Sequence, residues 1–265
     1  MTLEQALLVL AIGFVAGVVG GLAGVGGSLI MIPGLALTLG YQTEAHAEHH
    51  VYMAAAMAVN VVVAARAARR HARADAVRRD LARTLIPPML ISIVLGVILS
   101  NFLEGAWLRL AFAAFLAAYS LAMIATAAGR RNESSERPER VTRSALVATG
   151  STAGLVAGVL GLGGGVVIVP MLQAVSRVAL RQSVATSTYV MQFTAVVGAA
   201  LKIASLPALG LPITDALLYG GLMAPTALLG APLGARLTHA LPLAWVRLAV
   251  GLVLLASAAR LAGVL

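Results

Sequence analysis

Cysteine is absent from all 265 residues, which excludes disulfides, thiolate metal ligands and thiol nucleophiles. Charge is nearly as scarce. Only 11% of the residues are Asp, Glu, Lys or Arg, where a soluble domain carries about 25%. No GxxxxGK(S/T) motif occurs, so the chain has no loop of that kind with which to hydrolyse ATP itself. No Ser-His-Asp set or repeated acid–base pair falls within the apolar stretches, which argues against an enzyme. No cofactor-binding motif is evident. Aromatic residues reach 5%, enough for a sparse interfacial belt.

What the chain has in abundance is uncharged apolar sequence. Residues 5–43, 84–103, 110–129, 144–176, 182–201 and 216–235 carry no formal charge when His is neutral. Each reaches the roughly 18 residues that mark a candidate bilayer crossing. The chain therefore reads as an all-α polytopic membrane protein with the lipid bilayer as its surroundings. The formal charge of +9 would suggest nucleic acid in a soluble protein. Here the basic residues sit in short segments between spans, as the positive-inside bias expects, and no nucleic acid is implied. The first apolar stretch lacks a basic leader and its motif recurs later, so it reads as a span and not as a cleaved signal peptide.

The recurrence is a duplication. Residues 13–33 read GFVAGVVGGLAGVGGSLIMIP and residues 150–170 read GSTAGLVAGVLGLGGGVVIVP. At an offset of 137 they share Gly13, Ala16, Gly17, Val19, Gly21, Gly24, Gly26, Gly27 and Pro33 of the first copy. A shift of 138 further on aligns Pro87 with Pro225, Gly96 with Gly234 and Trp107 with Trp245. Each half then contains a helix, a glycine break and a short helix (28–39 and 166–175), followed by three spans. In the first half these spans are 49–65, 84–100 and 107–128. In the second they are 183–201, 216–235 and 243–259. Residues 66–83 form a basic loop. The domains are a first membrane repeat over 1–128, a charged cytoplasmic linker over 129–143 and a second repeat over 144–265.

If each broken pair enters and leaves on one side, three spans per half set the two repeats in inverted orientation. Placing 66–83 in the cytoplasm then leaves only Arg109, Lys202 and Arg260 of the basic residues outside. A parallel duplication, with one net crossing per broken pair, stays open and fits the charges less well. The inverted arrangement brings two broken helices together near the midplane around one site.

The paired GxxxGxxGxGG(S/G)xxxxP segments resemble those of the TauE/SafE family of sulfite exporters, over nearly the whole chain. The resemblance implies a secondary transporter of sulfur-containing anions such as sulfite and organosulfonates in the cytoplasmic membrane of a bacterium or archaeon. A family Ala-x-x-Thr-Ser-like segment is kept in the second half at Ala185, Thr186, Ser187 and Thr188. The first half departs from it, with Glu48, His49, His50 and Val51 ahead of Tyr52, the match of Tyr189.

The chemistry expected of the site follows from helix N-termini. Their first N–H groups lack intrahelical acceptors and carry partial positive charge, which suits an anion. The candidate anion contacts are Gly24, Gly26, Gly27, Ser28, Gly161, Gly163, Gly164 and Gly165, with hydroxyls from Thr186, Ser187 and Thr188. Asn60, Gln192 and Lys202 complete the set. Small residues at such spacings also serve close helix packing, so both readings stand. His49 and His50 are candidates for proton coupling or gating. His46, His49 and His50 at i, i+3 and i+4 share a face if the stretch is helical, which gives a second reading as a divalent-metal transporter. Scarcity of intramembrane Asp and Glu weighs against it. A homodimer is compatible with either reading.

Overall fold

The computed structural model describes residues 1–23, 26–73, 76–128, 138–240 and 243–264. Ten α-helices run through the described residues: α1 (Leu3–Ala23), α2 (Ser28–Leu39), α3 (Glu48–Arg73), α4 (Arg79–Asn101), α5 (Gly105–Ala128), α6 (Arg143–Leu160), α7 (Gly165–Ala174), α8 (Leu180–Ser205), α9 (Ile213–Ala240) and α10 (Leu243–Leu261). Seven of them, α1, α3, α4, α5, α6, α8 and α9, are long and apolar enough to cross a membrane. The protein is an all-α, multi-pass membrane protein.

The helices outrun the apolar segments that nucleate them. The basic segment 66–83, expected as a loop, is helical over most of its length: α3 continues to Arg73 and α4 begins at Arg79. The cause is composition, because Ala and Arg are strong helix formers. Ends are set locally. Thr142 caps α6 by accepting a hydrogen bond from the Ala145 amide at 3.3 Å. Gly161 closes it in the left-handed conformation, which an L side chain rarely adopts. Most of the central linker, 129–137, lies outside the described residues. The part that follows is tied down, with the Arg140 amide donating to Ser176 O at 3.0 Å.

The first arms of the two broken pairs pack mainly across the halves. On α1, Gly13, Gly17 and Gly21 lie against Met223, Ala227 and Ala231 of α9. On α6, Gly150, Gly154 and Gly158 lie against Leu85, Met89 and Ile93 of α4. Indices rise together in both sets, so each pair of helices is parallel. A Cβ on Gly13 would sit 2.6 Å from Met223 O, and one on Gly150 would sit 2.7 Å from Leu85 O. These glycines let backbones approach where any side chain would intrude.

Between these pairs stand α3 and α8. His50 meets Lys202 and Asn60 borders the glycine that Met191 also borders, so the two helices run antiparallel. One end of the bundle holds His50, Asn101 and Lys202; the other holds Arg78, Glu139 and Gln182. They are called the Lys202 end and the Arg78 end below. The α1–α2 hairpin returns to the Lys202 end, where Tyr52 donates to Gly40 O. The α6–α7 hairpin returns to the Arg78 end.

Candidate functional site

The two hairpin tips converge on one amide. A Cβ on Gly26 would lie 3.4 Å from Asn60 Oδ1 and 3.2 Å from Met191 Cε. A Cβ on Gly163 would lie 3.1 Å from Asn60 Nδ2 and also against Met191 Cε. Asn60 comes from the middle of α3 and is 1% exposed. Its Nδ2 donates to Ser28 Oγ in the first turn of α2. Its Oδ1 is buried and has no hydrogen-bond partner. A buried polar atom left unpaired is costly, which makes the Asn60 amide a place where a polar guest would be stabilised.

The backbone at each tip turns through a left-handed glycine. Gly26 has φ +82° and Gly164 has φ +77°, values that glycine tolerates without strain. Gly27 and Gly164 are the N-cap residues of α2 and α7, and neither helix has a side-chain cap. The first-turn amides of both helices are therefore uncapped by side chains.

The other expected site residues fall into separate stations. Gly24 lies outside the described residues. Gly161 packs on Met53, and Gly165 is the buried first residue of α7. Thr186 is at the Arg78 end, where its Oγ1 accepts from the Arg78 amide at 3.0 Å. Thr188 donates to Val184 O at 2.8 Å within its own helix. Ser187 is buried with its Oγ unpartnered. Gln192, next to Met191, is half-buried. Lys202 lies at the far end of α8, roughly 24 Å along the axis from Thr186, so one small anion does not touch both at once.

Lys202 has no exposed surface and is not paired with a carboxylate. Its Nζ is 2.8 Å from each of His50 Nδ1, Ser100 Oγ and Asn101 Oδ1. At the opposite end Arg78 holds Asp80 at 2.8 Å and Glu139 at 3.1 Å. Those two carboxylates push the Arg78 pKa above the ordinary guanidinium value. Ser100, Asn101 and Arg78 escaped sequence reading. Nothing local marks them; their side-chain partners lie about 100 residues or more away for all but Val97, Asp80 and Glu139.

The histidines separate. α3 begins at Glu48, so His46 precedes the helix, with φ 53° and its Nδ1 2.8 Å from Glu44 O. The shared helical face expected of all three is absent for that reason. His49 Nδ1 lies 3.0 Å from the Tyr41 hydroxyl, and His50 turns to Lys202 and Leu103 O. Burial raises the Tyr41 pKa, which keeps the phenol protonated beside His49. Among the described residues no three His, Asp or Glu side chains form a group that could hold a metal ion.

Long apolar helices enclosing a polar, glycine-lined centre, with hydrogen-bonded ties at both ends, are the architecture of a membrane transporter. Residues 9–261 match the family described as sulfite exporter TauE/SafE, and the chain belongs to that family. Its members are transporters and not enzymes. The chain is 28% identical to the probable membrane transporter protein MamO of Magnetospirillum gryphiswaldense, an alignment covering 86% of this chain and 40% of that protein. The MamO of Paramagnetospirillum magneticum matches with the same identity and coverage. The chain thus spans well under half the length of these curated relatives. No solved structure matches it.

Proposed function

We propose that this protein is a secondary transporter that moves a small sulfur-containing oxyanion, sulfite or an organosulfonate, by alternating access. The observation that carries the reading is the convergence of Gly26 and Gly163 on the Asn60 side chain, whose second polar atom has no partner. A half-turn of the amide exchanges its donor and acceptor ends. Ser28 then donates to Oδ1, and an Asn60 N–H becomes the unpartnered group beside the two tips. That donor, with first-turn amides of α2 and α7, makes a set suited to a tetrahedral or pyramidal oxyanion.

The reading includes an inverted repeat. It is supported by the parallel packing of α1 on α9 and of α6 on α4, two pairs that exchange when the halves are exchanged. It is supported also by the antiparallel run of α3 and α8, which carry the matched Tyr52 and Tyr189. The family membership and relatives from two bacteria support a bacterial cytoplasmic membrane as its location.

The test is calorimetric titration of purified protein with sulfite, thiosulfate, sulfoacetate and sulfate. The expected result is saturable binding of one or more of these anions, weakened in Asn60→Leu and in Gly163→Ala. Binding that is unchanged in both variants would remove the anion from the hairpin tips.

A further inference from the structure

The hydrogens of the buried cluster at the Lys202 end can be assigned one by one. Leu103 O only accepts, so His50 Nε2, 3.1 Å away, carries a proton and donates it. The Ser100 hydroxyl proton is committed to Val97 O at 2.8 Å. Ser100 Oγ therefore accepts from Lys202 Nζ, as does Asn101 Oδ1. The third ammonium hydrogen points at His50 Nδ1, which in the neutral ring bears no hydrogen and accepts it. The cluster thus holds an ammonium with all three donors engaged and a neutral imidazole engaged at both nitrogens. Adding a proton to the imidazole would set two N–H groups against each other across 2.8 Å.

Removing a proton also breaks a bond. A neutral Lys202 amine keeps two hydrogens, for Ser100 and Asn101, and gains a lone pair. If the imidazole hydrogen stays on Nε2, Nδ1 and Nζ face each other as two acceptors. If it moves to Nδ1 it satisfies Nζ, and Nε2 then faces Leu103 O as two acceptors. With the two amine hydrogens on Ser100 and Asn101, α3 loses one tie in either case, to α8 or to the turn between α4 and α5; an amine that keeps His50 instead gives up a tie to α4. The other titratable groups on the elements around it are Tyr41, Glu44, His46, Glu48, His49 and Tyr52 on α3 and the turn before it, Glu104 and Arg109 on and before α5, and Asp215 and Tyr219 on α9. Glu48 is occupied by the Gln42 and Thr43 amides and the Thr43 hydroxyl. The two ion pairs found among the described residues both belong to Arg78, at the opposite end.

We propose that one proton shared between Lys202 Nζ and His50 Nδ1 is the coupling ion of this transporter. With the proton bound, α3 is fastened to both α8 and the α4–α5 turn, and the buried positive charge balances an anion. Release passes the Nε2 proton out beside Leu103 while Nδ1 takes one from Nζ, and one fastening opens. Proton occupancy thereby decides whether the Lys202 end is closed. His49, with Nδ1 on Tyr41, is outside this pair. The inference rests on the transport reading above.

The test uses proteoliposomes with radiolabelled sulfoacetate as probe, a dianion near neutral pH that itself carries no exchangeable proton. Counterflow of the probe reports transport, and entrapped pyranine reports proton movement driven by a sulfoacetate gradient. Wild type is expected to show both. Lys202→Arg keeps the charge and cannot release the proton; whatever counterflow it retains is expected to run without proton movement. His50→Gln, which retains a donor and an acceptor, is the second variant and is expected to behave alike. Counterflow without proton movement in wild type overturns the coupling inference alone. So does proton movement that survives in either variant. Absence of counterflow in wild type overturns the transport of this anion and the inference together.

Discussion

The two hairpins have the same backbone plan and different side chains. Both first arms carry glycines that bury against a helix of the other half, and both tips turn through a left-handed glycine. Yet the first half supplies the polar pair Ser28 and Asn60, and the equivalent positions of the second half are Gly165 and Val197. Likewise His49 and His50 stand where the second half has Thr186 and Ser187. Backbone approach constrains both copies equally, because a Cβ there collides with backbone. Side-chain chemistry at the centre is shared by both tips, so one copy of each group suffices and the other is free to diverge.

The comparison breaks if the packing glycines are not equivalent. Gly17→Ala and Gly154→Ala are each expected to lower stability by about 1–3 kcal/mol through overpacking, since an added Cβ would lie 2.7 Å from Ala227 Cα in one case and against Met89 O in the other. Thermal unfolding in detergent measures both, and a marked inequality would refute equal constraint. The site asymmetry is sharpened by Asn60→Leu against Val197→Asn. The first is expected to weaken anion binding about ten- to a hundredfold, the value of a hydrogen bond to a charged group at roughly 1.5–3 kcal/mol. The second is expected to leave binding within about twofold, which is a few tenths of a kcal/mol. Calorimetry on the two variants decides it.

Smaller effects separate two local ties at the Arg78 end. Removing the N-cap of α6 in Thr142→Ala is expected to cost about 1 kcal/mol. Arg78→Ala is expected to cost less, below about 1 kcal/mol, because Asp80 and Glu139 are partly exposed and screened. Its signature is salt dependence: the difference from wild type in unfolding temperature should shrink in high salt.

Much of this was legible because glycine spacing and uncharged runs record backbone demands. The helix over Ser28–Leu39 and the end of α6 at Leu160 were readable directly from the glycine breaks and the apolar segments beside them. The helical course of 66–73 was not, since charge suggested a loop while Ala and Arg favour helix. Asn60 and Ser28 could be singled out as polar residues in apolar surroundings. That Thr186 and Lys202 stand at opposite ends of α8 follows from the span over 183–201; what each is tied to was invisible, because those partners lie on distant elements. The Lys202 cluster was hidden for the same reason: its members come from three helices, α3, α4 and α8.

The parallel contact of α1 with α9 also sets a schedule for making the protein. The two helices are separated by about 200 residues of chain, which a ribosome needs roughly 10–40 s to add. Throughout that interval α1 is inserted with its glycine face bare, and its final neighbour does not yet exist. The same wait for α6 is nil, because α4 precedes it. Biogenesis is therefore lopsided although the finished packing is not: the second hairpin can dock as it emerges, whereas the first must be kept unpaired in the membrane until the ninth helix arrives.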